Sequence, residues 1–208
     1  MTKPLVIFVA GGSASGKSTV VQEILAKAGL EDVIIINHDD YYHDQAHLPL
    51  EKRYDMNYDH PSSLDNELLF KHLTALINGQ AIDKPVYDFV QLTRSDKIEH
   101  VIPKKVIIVE GILILENPQI RDLSDIKIYV ELDDDTRFIR RMLRDLNERG
   151  RTLENIVSQY QTTVKPMYIQ YIKPTKRHAD VIIPNDTKHN IAVDLIVTKI
   201  EQILGDRS

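Results

Sequence analysis

Eight residues constrain this chain more than any others: Gly11-Gly12-Ser13-Ala14-Ser15-Gly16-Lys17-Ser18. They follow the apolar run Leu5 to Ala10 and lead into a helix-compatible segment from Thr19 to Lys27. An apolar strand that ends in glycines and opens a helix makes a tight turn whose consecutive N–H groups, together with the helix N-terminus, face one point. Small side chains let that backbone close on an anion, Lys17 adds a cation near the outer phosphates, and the Ser18 hydroxyl can hold Mg2+. Gly11 through Thr19 are therefore the candidate phosphate loop, and ATP or GTP is the expected ligand.

Around this loop, short apolar runs alternate with longer segments of helical period. Strands are expected at Leu5 to Ala10, Val33 to Asn37, Val106 to Val109, Ile126 to Glu131 and Val181 to Ile183, with helices near 18–27, 66–78, 135–149, 153–171 and 190–204. Runs without polar alternation belong to strands covered on both faces, so the expected fold is α/β, with a mostly parallel sheet flanked by helices. The segment Pro85 to Pro103 departs from this alternation. There Val86 to Val90 and Ile98 to Ile102 flank polar residues, the pattern of an inserted β-hairpin. Residues 1–208 are expected to form a single domain, without repeats or an interdomain linker.

Composition narrows the class. Of 208 residues, 42% are hydrophobic and 27% charged, ordinary for a soluble globular protein. The net charge of -5 excludes a broad basic surface for nucleic acid or anionic membrane, so anion affinity must be local. The absence of cysteine rules out disulfides and thiolate chemistry and fits a reducing, cytoplasmic setting. No apolar run approaches the roughly 18 residues of a membrane span.

In such sheets ligands gather at the carboxyl ends of the strands. Val106 to Val109 ends in Glu110-Gly111, and Val33 to Asn37 ends in His38-Asp39-Asp40. Phosphoryl transfer to an alcohol needs a metal on the phosphates, a carboxylate to take the hydroxyl proton and cations for the charge in transit. Asp39 is the candidate base, and Ser18 with Glu110 the candidate metal shell. Arg137, Arg140, Arg141, Arg144, Arg149 and Arg151 follow within one segment. Glu148 to Thr152 looks like a helix end, a turn and a cap, so Arg149 and Arg151 suit a lid that closes over ATP and excludes water. Arg137 and Arg140 are expected on a solvated face, paired with Asp133, Asp134, Asp135 and Asp145. Asp39, Asp40, His43, Asp44 and His47 have a metal-binding composition, but their polar surroundings read as a surface loop. Tyr129, inside a strand, is expected to be core.

Beyond the loop, a set of segments carries a more specific signal: Asp39-Asp40-Tyr41-Tyr42, Tyr58-Asp59-His60-Pro61, Pro85-Val86-Tyr87-Asp88-Phe89, Glu110-Gly111-Ile112-Leu113, Arg140 to Arg151, Ser158-Gln159-Tyr160, Lys165-Pro166-Met167, Pro174-Thr175-Lys176-Arg177 and Ala179 to Pro184. In this order and spacing, from about Leu5 to Leu204, the chain resembles the uridine/cytidine kinase family of pyrimidine salvage. The resemblance implies a P-loop NTPase fold with an arginine-bearing lid. It also implies transfer of the ATP phosphate to the 5′-hydroxyl of uridine or cytidine. By the same resemblance Asp39 is the base, Ser18, Asp39 and Glu110 surround Mg2+, and Lys17, Arg144 and Arg149 serve the phosphates. Asp59 and Arg141 match the ribose contacts, Tyr42, Tyr58 and Tyr87 the aromatic surroundings of the nucleoside, and Arg151 and Gln159 contacts to the pyrimidine. The family is typically a homotetramer, inhibited by CTP or UTP.

One position departs from the pattern. Where a histidine usually lies five residues after the hairpin tyrosine and reads the base edge, this chain has Leu92, which neither donates nor accepts. Gln91 could replace it chemically, but in a regular strand it points to the opposite face unless a bulge shifts the register. A related kinase with another small alcohol acceptor, and a nucleotide-dependent switch or ATPase, are the competing readings. The Asn-Lys-x-Asp run expected of many GTPase switches is absent.

Overall fold

The computed structural model describes residues 3–28, 32–186 and 190–206. In chain order the elements are β1 (Leu5–Ala10), α1 (Lys17–Ala28), β2 (Val33–Asn37), α2 (Leu50–Tyr54), α3 (Asn66–Ile77), β3 (Ile82–Asp88), β4 (Thr93–Val101), β5 (Val106–Glu110), α4 (Pro118–Arg121), β6 (Ile126–Glu131), α5 (Asp134–Glu148), α6 (Leu153–Gln159), α7 (Lys165–Met167), β7 (Val181–Pro184) and α8 (Asn190–Asp206). Five of the strands form one parallel sheet in the order β2-β5-β1-β6-β7. Among the described residues no helix is long and apolar enough to cross a membrane.

Strand β1 shows why its sequence is apolar throughout. Val6, Phe8 and Ala10 point into a core shared with Leu69, Leu73 and Leu76 of α3 and with Ile120 of α4. Leu5, Ile7 and Val9 point the other way, into a core shared with Val20, Val21 and Ile24 of α1 and with Val193, Ile196 and Ile200 of α8. Each face of the strand is thus buried by a different layer of helix. Tyr129 on β6 is 1% exposed, a core residue as expected.

The hairpin is present but longer than its apolar content indicates. Strands β3 and β4 pair from Ile82 opposite Val101 to Asp88 opposite Thr93, so polar residues expected in the loop stand in the ladder. Those polar residues find partners there. Arg94 donates to the Tyr42 carbonyl at 2.8 Å and to Asp65 at 3.1 Å, and Ser95 donates to the Val86 carbonyl. The turn shrinks to Phe89–Leu92 because Asp88 Oδ1 accepts from the Val90 and Gln91 N–H groups at 2.8 and 2.9 Å, a side-chain-capped turn.

Helix α5 inverts the usual pattern. Its buried residues are Arg137, Arg141 and Asp145, four apart, while Ile139 and Leu143 are 51% exposed. The expected solvated face therefore holds at Arg140, which is exposed, and fails at Arg137. The Arg137 guanidinium lies 3.9 Å from the centre of the Tyr168 ring, its Nε donates to the Leu132 carbonyl, and Asp134 pairs with its far end. An aromatic face and a paired carboxylate make burial of that cation tolerable. The expected helix over 153–171 is also modified: α6 and α7 are joined and extended by π-helical turns at Tyr160–Val164 and Tyr168–Ile172. Each π turn immediately precedes an X-Pro pair, Lys165-Pro166 and Lys173-Pro174, and the residue before proline donates five residues back.

Candidate active site

At the carboxyl end of β1 the loop wraps as the glycine pattern requires. Gly16 adopts φ +92°, a left-handed conformation, and a Cβ there would meet Asn185, whose amide donates to the Ser15 carbonyl at 2.7 Å. Ser15 N–H donates to Gly12 O at 3.1 Å, and Lys17 Nζ donates to the Gly11 and Gly12 carbonyls at 3.2 Å each. Burial pulls the Lys17 pKa below the usual lysine range, opposed by the charges of Asp39 and Glu110. One cavity is lined by Ser13, Ala14, Gly16, Lys17, Ser18 and Thr19 of the loop and by Asp39, Glu110, Arg144 and Arg149.

Ser18 and Glu110, 92 positions apart, meet here because β1 and β5 are neighbours in the sheet. The Ser18 hydroxyl donates to Glu110 Oε1 at 2.9 Å, while Glu110 Oε2 is buried and has no hydrogen-bond partner among the described residues. Burial raises the Glu110 pKa, and Ser18 and Lys17 oppose that shift. A hydroxyl, an orphaned carboxylate oxygen and Asp39 in one cavity form an all-oxygen donor set that suits a hard divalent cation. The second metal-like cluster dissolves. Asp40 is claimed by Lys84 at 2.5 Å and Asp44 by Thr93, and no group of three or more His or acidic residues able to hold a metal occurs among the described residues.

A second cavity adjoins the first. It contains every residue the sequence assigned to the acceptor, Tyr42, Tyr58, Asp59, Tyr87, Leu92, Arg141, Arg151 and Gln159, together with Ser13, Asp39, Arg144 and Arg149. Asp39 borders both cavities. The Tyr42 ring centre lies 5.4 Å from that of Tyr58 and 5.1 Å from that of Tyr87, making an aromatic wall. Opposite, Arg141 donates to Ser13 Oγ at 2.8 Å and to Gln159 Oε1 at 3.0 Å, and Arg151 donates to the same Gln159 oxygen. Asp59 is buried, and desolvation raises its pKa despite Arg141, with Asp39 adding to the rise.

Leu92 lies in the hairpin turn, outside the ladder, with φ +53°. Tyr58 Oη donates to its carbonyl at 3.2 Å and Arg53 donates to the Gln91 carbonyl at 2.7 Å, fixing a conformation that leucine rarely adopts. The Leu92 side chain is buried in the cavity and Gln91 is exposed, so Gln91 does not take the missing polar role.

Sequence reasoning missed four features. Phe89 lines both cavities and lies under the Arg149 guanidinium at 4.8 Å, and Ile112 also borders both. Asn185 braces the loop. Asp145, expected in a solvated ion pair, is wholly buried among arginines. For Asp145 alone the signal was visible, since it sits four residues after Arg141 and four before Arg149.

The profile of the Phosphoribulokinase / Uridine kinase family matches residues 6–192. A uridine kinase from Geobacillus sp. (strain WCH70) is 53% identical over 206 residues, covering 99% of this chain and 98% of that one. A uridine kinase from Halalkalibacterium halodurans is 52% identical, again over 99% of this chain and 98% of its own. More distant structures share the fold. Phosphoribulokinase from Rhodobacter spheroides has a TM-score of 0.68 at 19% identity, over 88% of this chain and 70% of that one. D-glycerate 3-kinase from Cryptococcus neoformans has a TM-score of 0.66 at 17% identity, over 91% and 89%. The chain belongs to the Phosphoribulokinase / Uridine kinase family.

Proposed function

We propose that this chain transfers the terminal phosphoryl group of ATP to the 5′-hydroxyl of uridine or cytidine, giving UMP or CMP. The observation that carries the reading is Asp39 on the wall common to the phosphate cavity and the tyrosine-lined cavity. A hydroxyl delivered from one side would meet the phosphate held on the other, with a carboxylate at the junction to take its proton. Lys17, Arg144 and Arg149 supply cations where charge spreads over the oxygens in transfer. Ser18, Asp39 and Glu110 would hold Mg2+, whose role when bound is to neutralise phosphate oxygens.

In the acceptor cavity, Asp59 and Arg141 offer an acceptor and a donor to the ribose diol, and the tyrosines pack the flat base. Gln159 Oε1 is already occupied by two guanidiniums, which leaves its amide N–H groups to donate to a pyrimidine carbonyl. Leu92 adds shape without polarity, so discrimination between uridine and cytidine falls to Gln159 and Arg151. We read the active form as a cytoplasmic homo-oligomer, as the family resemblance implies.

The test is release of ADP from ATP, or of GDP from GTP, by the purified protein with Mg2+, first without acceptor and then with uridine, cytidine, purine nucleosides and non-nucleoside alcohols singly. Release that depends on a pyrimidine nucleoside, with the 5′-monophosphate found by mass, is the expected outcome. Slow release indifferent to every acceptor would overturn it in favour of a nucleotide-dependent switch.

A further inference from the structure

The lid helix carries a buried charge for which the reaction above has no use. Asp145 is fully buried and borders neither cavity, yet Arg141, Arg144 and Arg149, which border one or both, converge on it. Its Oδ1 accepts from Arg144 Nε at 3.0 Å and Nη2 at 2.8 Å and lies 3.7 Å from Arg149 Nη1. Its Oδ2 lies 3.5 Å from Arg141 Nε. Its backbone carbonyl accepts from the Arg151 N–H at 3.2 Å, across Gly150 at φ +62°. The same residue thus meets four cationic positions of the lid, three by charge and one by backbone.

Three guanidiniums held this close repel one another, and a carboxylate buried without cations is strongly unfavourable, so each side of the cluster requires the other. One negative charge against three positive ones leaves an excess that faces the cavities, where a polyphosphate would complete the balance. We propose that Asp145 is the positioning residue of the lid: its carboxylate fixes Arg141, Arg144 and Arg149 in an arc around the transferred phosphate and the ribose. The proposal rests on the reading of Arg144 and Arg149 as phosphate contacts.

A double-mutant cycle tests it. Asp145→Asn keeps the size and an oxygen able to accept from Arg144 but removes the charge. Turnover by ADP release should fall about tenfold or more, with a smaller change in the KM for uridine, because orientation of the phosphate contacts is what is lost. Arg149→Ala made in the Asp145→Asn background should then cost far less than in the parent chain, since the arginine is already misplaced. Losses that simply multiply would overturn the proposal, because a residue that only stabilises the fold lowers activity independently of the arginines. Asp145→Glu, which keeps the charge and displaces it by one methylene, carries the same cycle if the asparagine chain does not fold. Unchanged turnover in Arg144→Ala and Arg149→Ala would overturn the lid reading and this proposal together. Intact arginine effects that multiply with that of Asp145 would overturn this proposal alone.

Discussion

Around the phosphate loop, backbone groups set by β1 and α1 do most of the shaping, and the cradle itself lies within nine consecutive residues, Gly11 to Thr19, with Asp39, Glu110, Arg144 and Arg149 closing the cavity. Across Asp39, the acceptor cavity is walled by side chains from segments as far apart as Tyr42, Asp59, Tyr87, Arg141 and Gln159. The first site tolerates change only where glycine geometry is kept. The second depends on separate pieces, the hairpin, helix α5, helix α6 and the segment from Asp39 to Asp59, arriving together. A local site is robust in sequence and brittle in backbone, whereas a dispersed one is adjustable residue by residue.

Asp39→Asn strikes the wall that the two regions share. Turnover should fall about 10^2- to 10^4-fold while ATP binding and melting temperature stay close to the parent values. Normal turnover would remove Asp39 from the chemistry and separate the two cavities functionally. Gly16→Ala should break the cradle alone. Left-handed backbone and the contact with Asn185 cost about 1–3 kcal/mol, so ATP affinity measured by calorimetry should drop roughly fivefold to more than a hundredfold with uridine affinity nearly unchanged.

Asp59→Asn addresses the acceptor side through its charge. The KM for uridine should rise about tenfold as one charged partner of the diol is lost. Stability should move the other way. Because the folded pKa of Asp59 is raised by burial, its ionised form is penalised in the folded protein at neutral pH, and that penalty disappears below the ordinary carboxylate range. The asparagine variant should therefore melt at a higher temperature than the parent at pH 7 and show no advantage at strongly acid pH. An equal or lower melting temperature at pH 7 would show that pairing with Arg141 outweighs desolvation. The smallest effect is expected of Leu92→His, a severalfold rise in kcat/KM for at least one pyrimidine nucleoside. It would restore a polar edge, and histidine also enters the left-handed region more readily than leucine. Unchanged values for both nucleosides would show that the turn, not the side chain, sets base choice.

The same contrast explains what could be read in advance. The order of strands and helices, the phosphate loop and the acids at the ends of β2 and β5 follow from period and spacing, which are local. The acceptor residues came from resemblance, since nothing in the neighbourhood of Tyr58 or Gln159 announces a shared cavity. The hairpin was misread at its edges because Arg94 and Ser95 are polar, and only tertiary partners make them strand residues. Arg137 and Asp145 were misread because an arginine-rich helix ordinarily faces water. Here the apolar stripe of Ile139 and Leu143 faces out, and the chemistry inside holds the charges in.

The two π-helical turns carry a consequence for phase. Ile156, Val164, Tyr168 and Ile172 are buried, with Tyr160 half-buried between the first two, a repeat of four. In an uninterrupted α-helix each step of four residues drifts by about 40°, so Ile172 would face about 160° away from Ile156. Wider turns at Tyr160–Val164 and Tyr168–Ile172 absorb that drift. The segment from Gln159, on the tyrosine-lined cavity, to Ile172, in the cluster that also holds Tyr42 and Tyr87, therefore keeps one straight seam against the protein. Removing one residue from either wide turn would let that turn close as an ordinary α turn, with the residues beyond it keeping their phase.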